Sequence, residues 1–167
     1  MAASSGCPQP VRRDPYAVIV WERHGRWADL LRRLTNVEVR WYETRGWDEC
    51  RTSLADVASG CVVLAIGERS SLSERLGQVQ QLRRLRTSSP VFVIVPRAMS
   101  AGIDDAPRIV RPEWLFREAG ATDVVGGAAE ANRIARLIER DYCRQSPSTR
   151  RLDQLIVDQL PWATSTD

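Results

Sequence analysis

Lysine is absent from these 167 residues, and all 24 basic side chains are arginine. Set against 21 acidic residues they leave a net charge of +3, too even a balance to mark a nucleic-acid-binding chain. Composition is the simpler reading of the arginine bias, and anion recognition by planar guanidinium forks the sharper one. Paired cysteine ligands are missing too. Cysteines stand at 7, 50, 61 and 143 without a CxxC spacing, and Cys50 and Cys61 occupy positions that otherwise read as apolar, so they are expected as free thiols in a reducing compartment. No run approaches 18 apolar residues, and the opening MAASSGCPQPVRRDP has no apolar core of signal-peptide length. Neither a membrane span nor secretion is expected, and the cytoplasm is the expected location. The chain has one histidine and contains no GxGxxG, GxxxxGK[ST], GxSxG or HExxH, so no cofactor and no metal are expected.

What is present is a β-α alternation in a chain that is 43% hydrophobic, enough for one folded domain. Residues 16–21 (YAVIVW) and 61–66 (CVVLAI) are continuous apolar runs, as is 91–95 (VFVIV), the pattern of strands buried on both faces. Residues 37–41 alternate instead, Val37, Val39 and Trp41 against Glu38 and Arg40, which predicts an edge strand or one with a wet face. Between the runs lie helical stripes. They are Trp27, Leu30, Leu31 and Leu34; then Trp47, Cys50, Leu54, Val57 and Ala58; then Leu72, Leu76, Val79, Leu82 and Leu85. Gly60 is expected to close the second helix, and Ser71 with Glu74 to form a capping box on the third. Arg83, Arg84 and Arg86 at the end of that helix suit the negative end of its dipole better than a nucleic-acid patch.

Residues 114–142 organise the rest: a short helix, a stop at Gly120, a strand over 122–125, a Gly126-Gly127 turn, and a long amphipathic helix. In the last helix Ala131, Ile134, Ala135, Leu137, Ile138 and Tyr142 share one side. Five such units with mostly continuous apolar strands imply an α/β fold, a doubly wound three-layer sandwich around a five-stranded parallel sheet. The common order 2-1-3-4-5 puts the alternating strand at an edge. Residues 1–15 read as a polar lead, 16–144 as the α/β domain, and 145–167 as a linker with a short amphipathic segment.

VFVIVP, followed by LFREAGATDVVGG and a closing amphipathic helix, resembles the last two units of response-regulator receiver domains, with AGATDVV similar to their alanine-glycine-alanine lead into the fifth strand. The resemblance covers about residues 16 to 144. It implies a flavodoxin-like fold and a signalling role. Receivers take a phosphoryl group on an aspartate ending the third strand, beside Mg²⁺ held by acidic residues after the first strand, with a hydroxyl residue and a lysine completing the site. Laid on this chain, that pattern falls on Trp21 and Glu22 for the acidic pair, Ala65 for the acceptor, Val95 for the hydroxyl and Gly127 for the lysine. Only Glu22 keeps a usable group, so the resemblance implies a degenerate pseudo-receiver and no enzyme.

The carboxyl edge of such a sheet also collects Arg23, Arg26, Arg45, Arg69 and Arg97, with the lone His24 and with Asp104 and Asp105. Arg23, Arg69 and Arg97 are candidates for holding a small anion or nucleotide, the alternative to a protein-interaction module. Trp21 and Trp114 are placed near this edge, where they would line a contact surface. After the linker, Leu152, Leu155, Ile156 and Leu160 fall on one side of a short segment ending at Pro161 and Trp162. It either docks on its own domain or is offered to a partner as a helix in a groove. A protein partner is expected, and a second copy is one candidate, meeting through the fourth helix, fifth strand and fifth helix.

Overall fold

A computed structural model describes residues 15–67, 71–95 and 112–145. Its strands are β1 (Ala17–Trp21), β2 (Arg40–Thr44), β3 (Gly60–Ala65), β4 (Val91–Ile94) and β5 (Asp123–Val125), all parallel and ordered β2-β1-β3-β4-β5. The helices are α1 (Arg26–Leu34), α2 (Trp47–Asp56), α3 (Leu72–Leu85), α4 (Pro112–Glu118) and α5 (Ala131–Gln145), the last entered through a 3₁₀ turn over Ala128–Glu130. This is the doubly wound α/β sandwich with the strand order read from the sequence.

Period-two alternation splits the strand side chains between two apolar layers. Ala17, Ile19, Trp21, Val62, Leu64, Val91 and Val93 face Cys50 and Leu54 of α2, Val79 and Leu82 of α3, and Phe116 of α4. Val18, Val20, Cys61, Val63, Phe92, Ile94 and Val125 face Ala28 and Leu31 of α1 and Ala131, Ile134 and Ile138 of α5. A hydrogen bond of 2.6 Å from the Tyr16 hydroxyl to Asp141 ties the last turns of α5 to the start of β1. Burial raises the Asp141 carboxyl above its usual value, and the hydrogen bonds from Tyr16 and Gln145 offset part of that.

Four local expectations are corrected. The edge strand begins three residues later than the alternation suggested. Its first ladder bond runs from the Arg40 amide to the Tyr16 carbonyl, and Asn36 to Val39 bring the chain across from α1, with Val39 and Trp41 packed on the α1/α5 layer. Gly60 does not cap α2, which ends at Asp56 with Val57 extended. It opens β3 against β1, where a Cβ would collide with the Ala17 carbonyl oxygen. The capping box does not form: Ser71 Oγ meets Ser73 Oγ, and Glu74 instead accepts from Gln78. Leu85 is 53% exposed, because at ~100° per residue it lies roughly 140° round the helix from Leu72.

Gly120 holds the expected stop with φ 105°, a left-handed conformation that glycine adopts without strain, and Ala121 N–H returns to the Phe116 carbonyl. The arginines ending α3 have structural work. Arg86 donates to the carbonyls of Leu54, Val57 and Ala58, capping the end of α2, and Arg83 donates to Ser89.

Two outcomes follow from this packing. Gly60→Ala is expected to cost about 1 to 3 kcal/mol, because backbone must move to admit a methyl group. Gly77→Ala, at a helical site with nothing within 4 Å of the added carbon, should stabilise by about 0.5 to 1 kcal/mol; urea melts of both variants check the opposite signs. Burial pushes the Cys50 and Cys61 thiols up to about 12, whereas Cys143 is exposed. Iodoacetamide at pH 8 should therefore modify Cys143 and spare Cys50 and Cys61 until urea is added, read by peptide mass mapping.

Candidate functional site

Open α/β sheets place their sites beyond the carboxyl ends of the strands. Trp21, Ala65 and Val95 lie there as neighbours, since Trp21 pairs with Leu64, Ala65 with Ile94, and the Val95 amide donates to Val125. Gly127 follows β5 with φ 136° and leads into the 3₁₀ turn. All five positions carried over from the receiver pattern thus sit on one edge of the sheet. Their chemistry is apolar except for Glu22.

Glu22 is 3% exposed, and its carboxylate faces the first turn of α1. It accepts from Trp27 N–H at 3.0 and 2.9 Å and from Ala28 N–H at 2.7 Å. The usual side-chain cap is missing, because the N-cap residue is Gly25. Glu22 replaces it from the preceding loop, satisfying amides that a helix start leaves open and placing negative charge at the positive end of the dipole.

Trp21 corrects a further expectation: at 7% exposure it is core, not contact surface. Its indole N–H donates to the Arg45 carbonyl at 3.3 Å, and its ring meets Trp47 at 5.5 Å between centroids. Arg75 covers the same ring, its guanidinium carbon 4.2 Å from the centroid. Burial presses this guanidinium below its usual value, Glu74 offsets part of the shift, and the charge of Arg23 adds to it. Arg75 escaped the sequence reading, although helical spacing sets it between Val79 and Leu82 on the inward stripe of α3.

The rim arginines do not form a common fork among the described residues. Arg45 donates to the Glu22 carbonyl at 3.0 Å and pairs with Glu43 at 3.3 Å. Arg23, His24 and Arg26 are exposed. Arg69, Arg97, Asp104 and Asp105 lie outside the described residues, as do Leu152, Leu155, Ile156, Leu160 and Trp162. No cluster of three His, Cys, Asp or Glu suited to a metal ion occurs among the described residues, and no described helix is long and apolar enough to cross a membrane.

A second site lies at the opposite edge strand from β2. Asp123, 5% exposed, is clamped by Arg117 of α4 at 2.9 Å and bidentately by Arg133 of α5, with Nε and Nη2 both at 2.7 Å. Beside this clamp runs a groove of about 380 Å³ lined by Glu113, Trp114, Arg117, Val124, Gly126, Glu130 and Arg133. Trp114 stands on its wall 58% exposed. The clamp was missed in the sequence, where an aspartate opening an otherwise apolar strand, with arginines six before and ten after, was its signal.

No family model and no curated protein matches this sequence. Solved structures do. A CheY-like protein (tadZ) from Pseudomonas aeruginosa PAO1 superposes with a TM-score of 0.56 at 20% identity, over 75% of this chain and 98% of that one. The receiver domain of Francisella response regulator 1452 gives 0.57 at 11% identity, over 80% and 100%. A CheY-like receiver domain protein from Methanospirillum hungatei JF-1 gives 0.56 at 7% identity, over 78% and 96%. At these identities the likeness is one of architecture, and the architecture is that of CheY-like response-regulator receiver domains.

Proposed function

We propose that the chain is a non-catalytic pseudo-receiver, a receiver-fold module that has lost phosphoacceptor chemistry and binds a protein partner in a cytoplasmic signalling or regulatory assembly. The observation that carries this reading is the chemistry of the carboxyl edge. Ala65 offers no oxygen to a phosphoryl donor, and the one carboxylate nearby, Glu22, is already hydrogen-bonded to α1. A divalent cation needs several hard oxygen ligands. Recruiting Glu22 would leave buried amides open, at about 1 to 3 kcal/mol for each unsatisfied group. The indole of Trp21 and the guanidinium of Arg75 further supply an apolar and cationic lining where an acidic one would be needed.

The module spans residues 16–144 in this reading, between an N-terminal lead over 1–15 and the linker and amphipathic segment of 145–167. Its partner surface is the face made by α4, β5 and α5, where the groove and the exposed Trp114 lie, and a second copy of this chain is one partner that face suits. Exposed aromatics beside arginines are typical of the residues on which binding energy concentrates. The small-anion alternative, through Arg23, Arg69 and Arg97, has less support, because Arg45 and Arg75 at the same rim are already engaged.

Incubation with Mg²⁺ and acetyl phosphate should leave the intact mass unchanged; a stable gain of one phosphoryl group on an acidic residue would end the pseudo-receiver reading. Sedimentation of the full chain at micromolar concentrations should show self-association that Trp114→Glu weakens at least tenfold, equivalent to about 1.4 kcal/mol. Identical association of both proteins would remove this face from the proposal.

A further inference from the structure

We infer that the chain carries its own occupant for the groove between α4 and α5: residues 152–162, docked in cis as a short helix. The inference rests on the interaction face just proposed and adds what covers that face when no partner is bound. Three observations converge on it.

The first is reach. From Arg133, on the groove wall, to Gln145, where α5 ends, the helix rises roughly 18 Å at ~1.5 Å per residue. The intervening residues 146–151 span at most about 20 Å when extended. Leu152 can therefore return to the groove from the far end of α5 without any change in the domain.

The second is shape. The groove has an apolar floor at Val124 and an open one at Gly126, and its wall offers the exposed indole of Trp114. Its volume of about 380 Å³ takes a few side chains rather than a whole domain. Leu152, Leu155, Ile156 and Leu160 fall on one stripe of a helix, which is the i, i+3, i+4 arrangement that fills such grooves. Trp162 follows Pro161 directly after the stripe, and gives the segment an aromatic end that Trp114 can meet.

The third is charge. Arg117 stands on the α4 wall and Arg133 on the α5 wall, each with its side chain 51% exposed despite the bond to Asp123. At ~100° per residue, Asp153 and Asp158 flank the apolar stripe on opposite sides. A helix seated stripe-down thus brings one carboxylate toward each arginine. Glu113 and Glu130 also line the groove, and Arg150 and Arg151 just before the segment supply the opposite sign. A free helix of this length is marginal in water, so docking and helix formation are one event.

Hydrogen-deuterium exchange on the full chain tests the inference, with Trp114→Glu and the double variant Leu155→Asp, Ile156→Asp. All three changes fall on exposed or tail positions, so the domain itself should stay folded. In the wild type, amides of 152–160 should exchange at least tenfold slower than an unstructured peptide, independent of protein concentration, and either variant should return them to unstructured rates. Because tenfold protection leaves one groove in ten open, and pairing through the same face needs both copies open, the double variant should also tighten self-association about a hundredfold in sedimentation. Unstructured rates in the wild type, protection that survives Trp114→Glu, or protection that grows with concentration would each overturn docking in cis. If the double variant releases the tail but self-association is unchanged, the tail inference stands and the interaction-face reading falls.

Discussion

The structure depends on β1 being enclosed on every side. Its five residues are buried, β2 and β3 pair with its two edges, and its side chains divide between the two apolar layers. A parallel strand so placed cannot be joined to its neighbours by tight turns, so each connection must cross a face of the sheet as a helix. The two layers, the 2-1-3-4-5 order and the gathering of loops at the carboxyl edge all follow. The close approach of Gly60 to Ala17 is the tightest local expression of the same demand.

The alternation that fixes β1 also decides the chemistry at its end. Trp21, in phase with Ala17 and Ile19, is sent into the α2/α3 layer, and the large ring needs cover that Trp47 and Arg75 provide. Glu22, the next residue, turns out of the strand and meets the open amides of α1. A carboxylate with three short contacts to backbone N–H is satisfied as an anion, and has little capacity left for a cation or a phosphoryl oxygen. Trp21 and Glu22 are thus both committed to interactions that hold the fold together.

Much of this was legible in residue order. Continuous apolar runs at 16–21, 61–66 and 91–95 identified strands buried on both faces, and the phrase AGATDVV located the turn at Gly120 and the strand after it. What the sequence concealed were interactions between residues far apart. Glu22 as a cap for α1 follows only once Gly25 is seen to offer no side chain. The start of β2 at Arg40 depends on a bond to Tyr16 across the sheet, and period-two alternation continues into the approach to a strand, so it blurs the strand's first residue. Arg75 was visible on a helical wheel, but a cation on an inward stripe makes sense only with an aromatic face opposite it.

The clamp on Asp123 sets what kind of molecule the α4/α5 face can receive. β5 is an edge strand of three residues, and edges are natural templates for strand addition. Here Arg117 and Arg133 come from helices on opposite layers to the same carboxylate, so their ion pairs lie across the outer side of the strand. A partner strand would have to displace them, leaving a buried carboxylate uncompensated, a change that costs several kcal/mol at such sites. The adjacent groove carries no such penalty, since Trp114 and the solvent-facing parts of both arginines are open without disturbing Asp123. On the proposal that this face receives a partner, recognition there is led by side chains entering a groove, and a helix with one apolar stripe satisfies it where an extended strand does not.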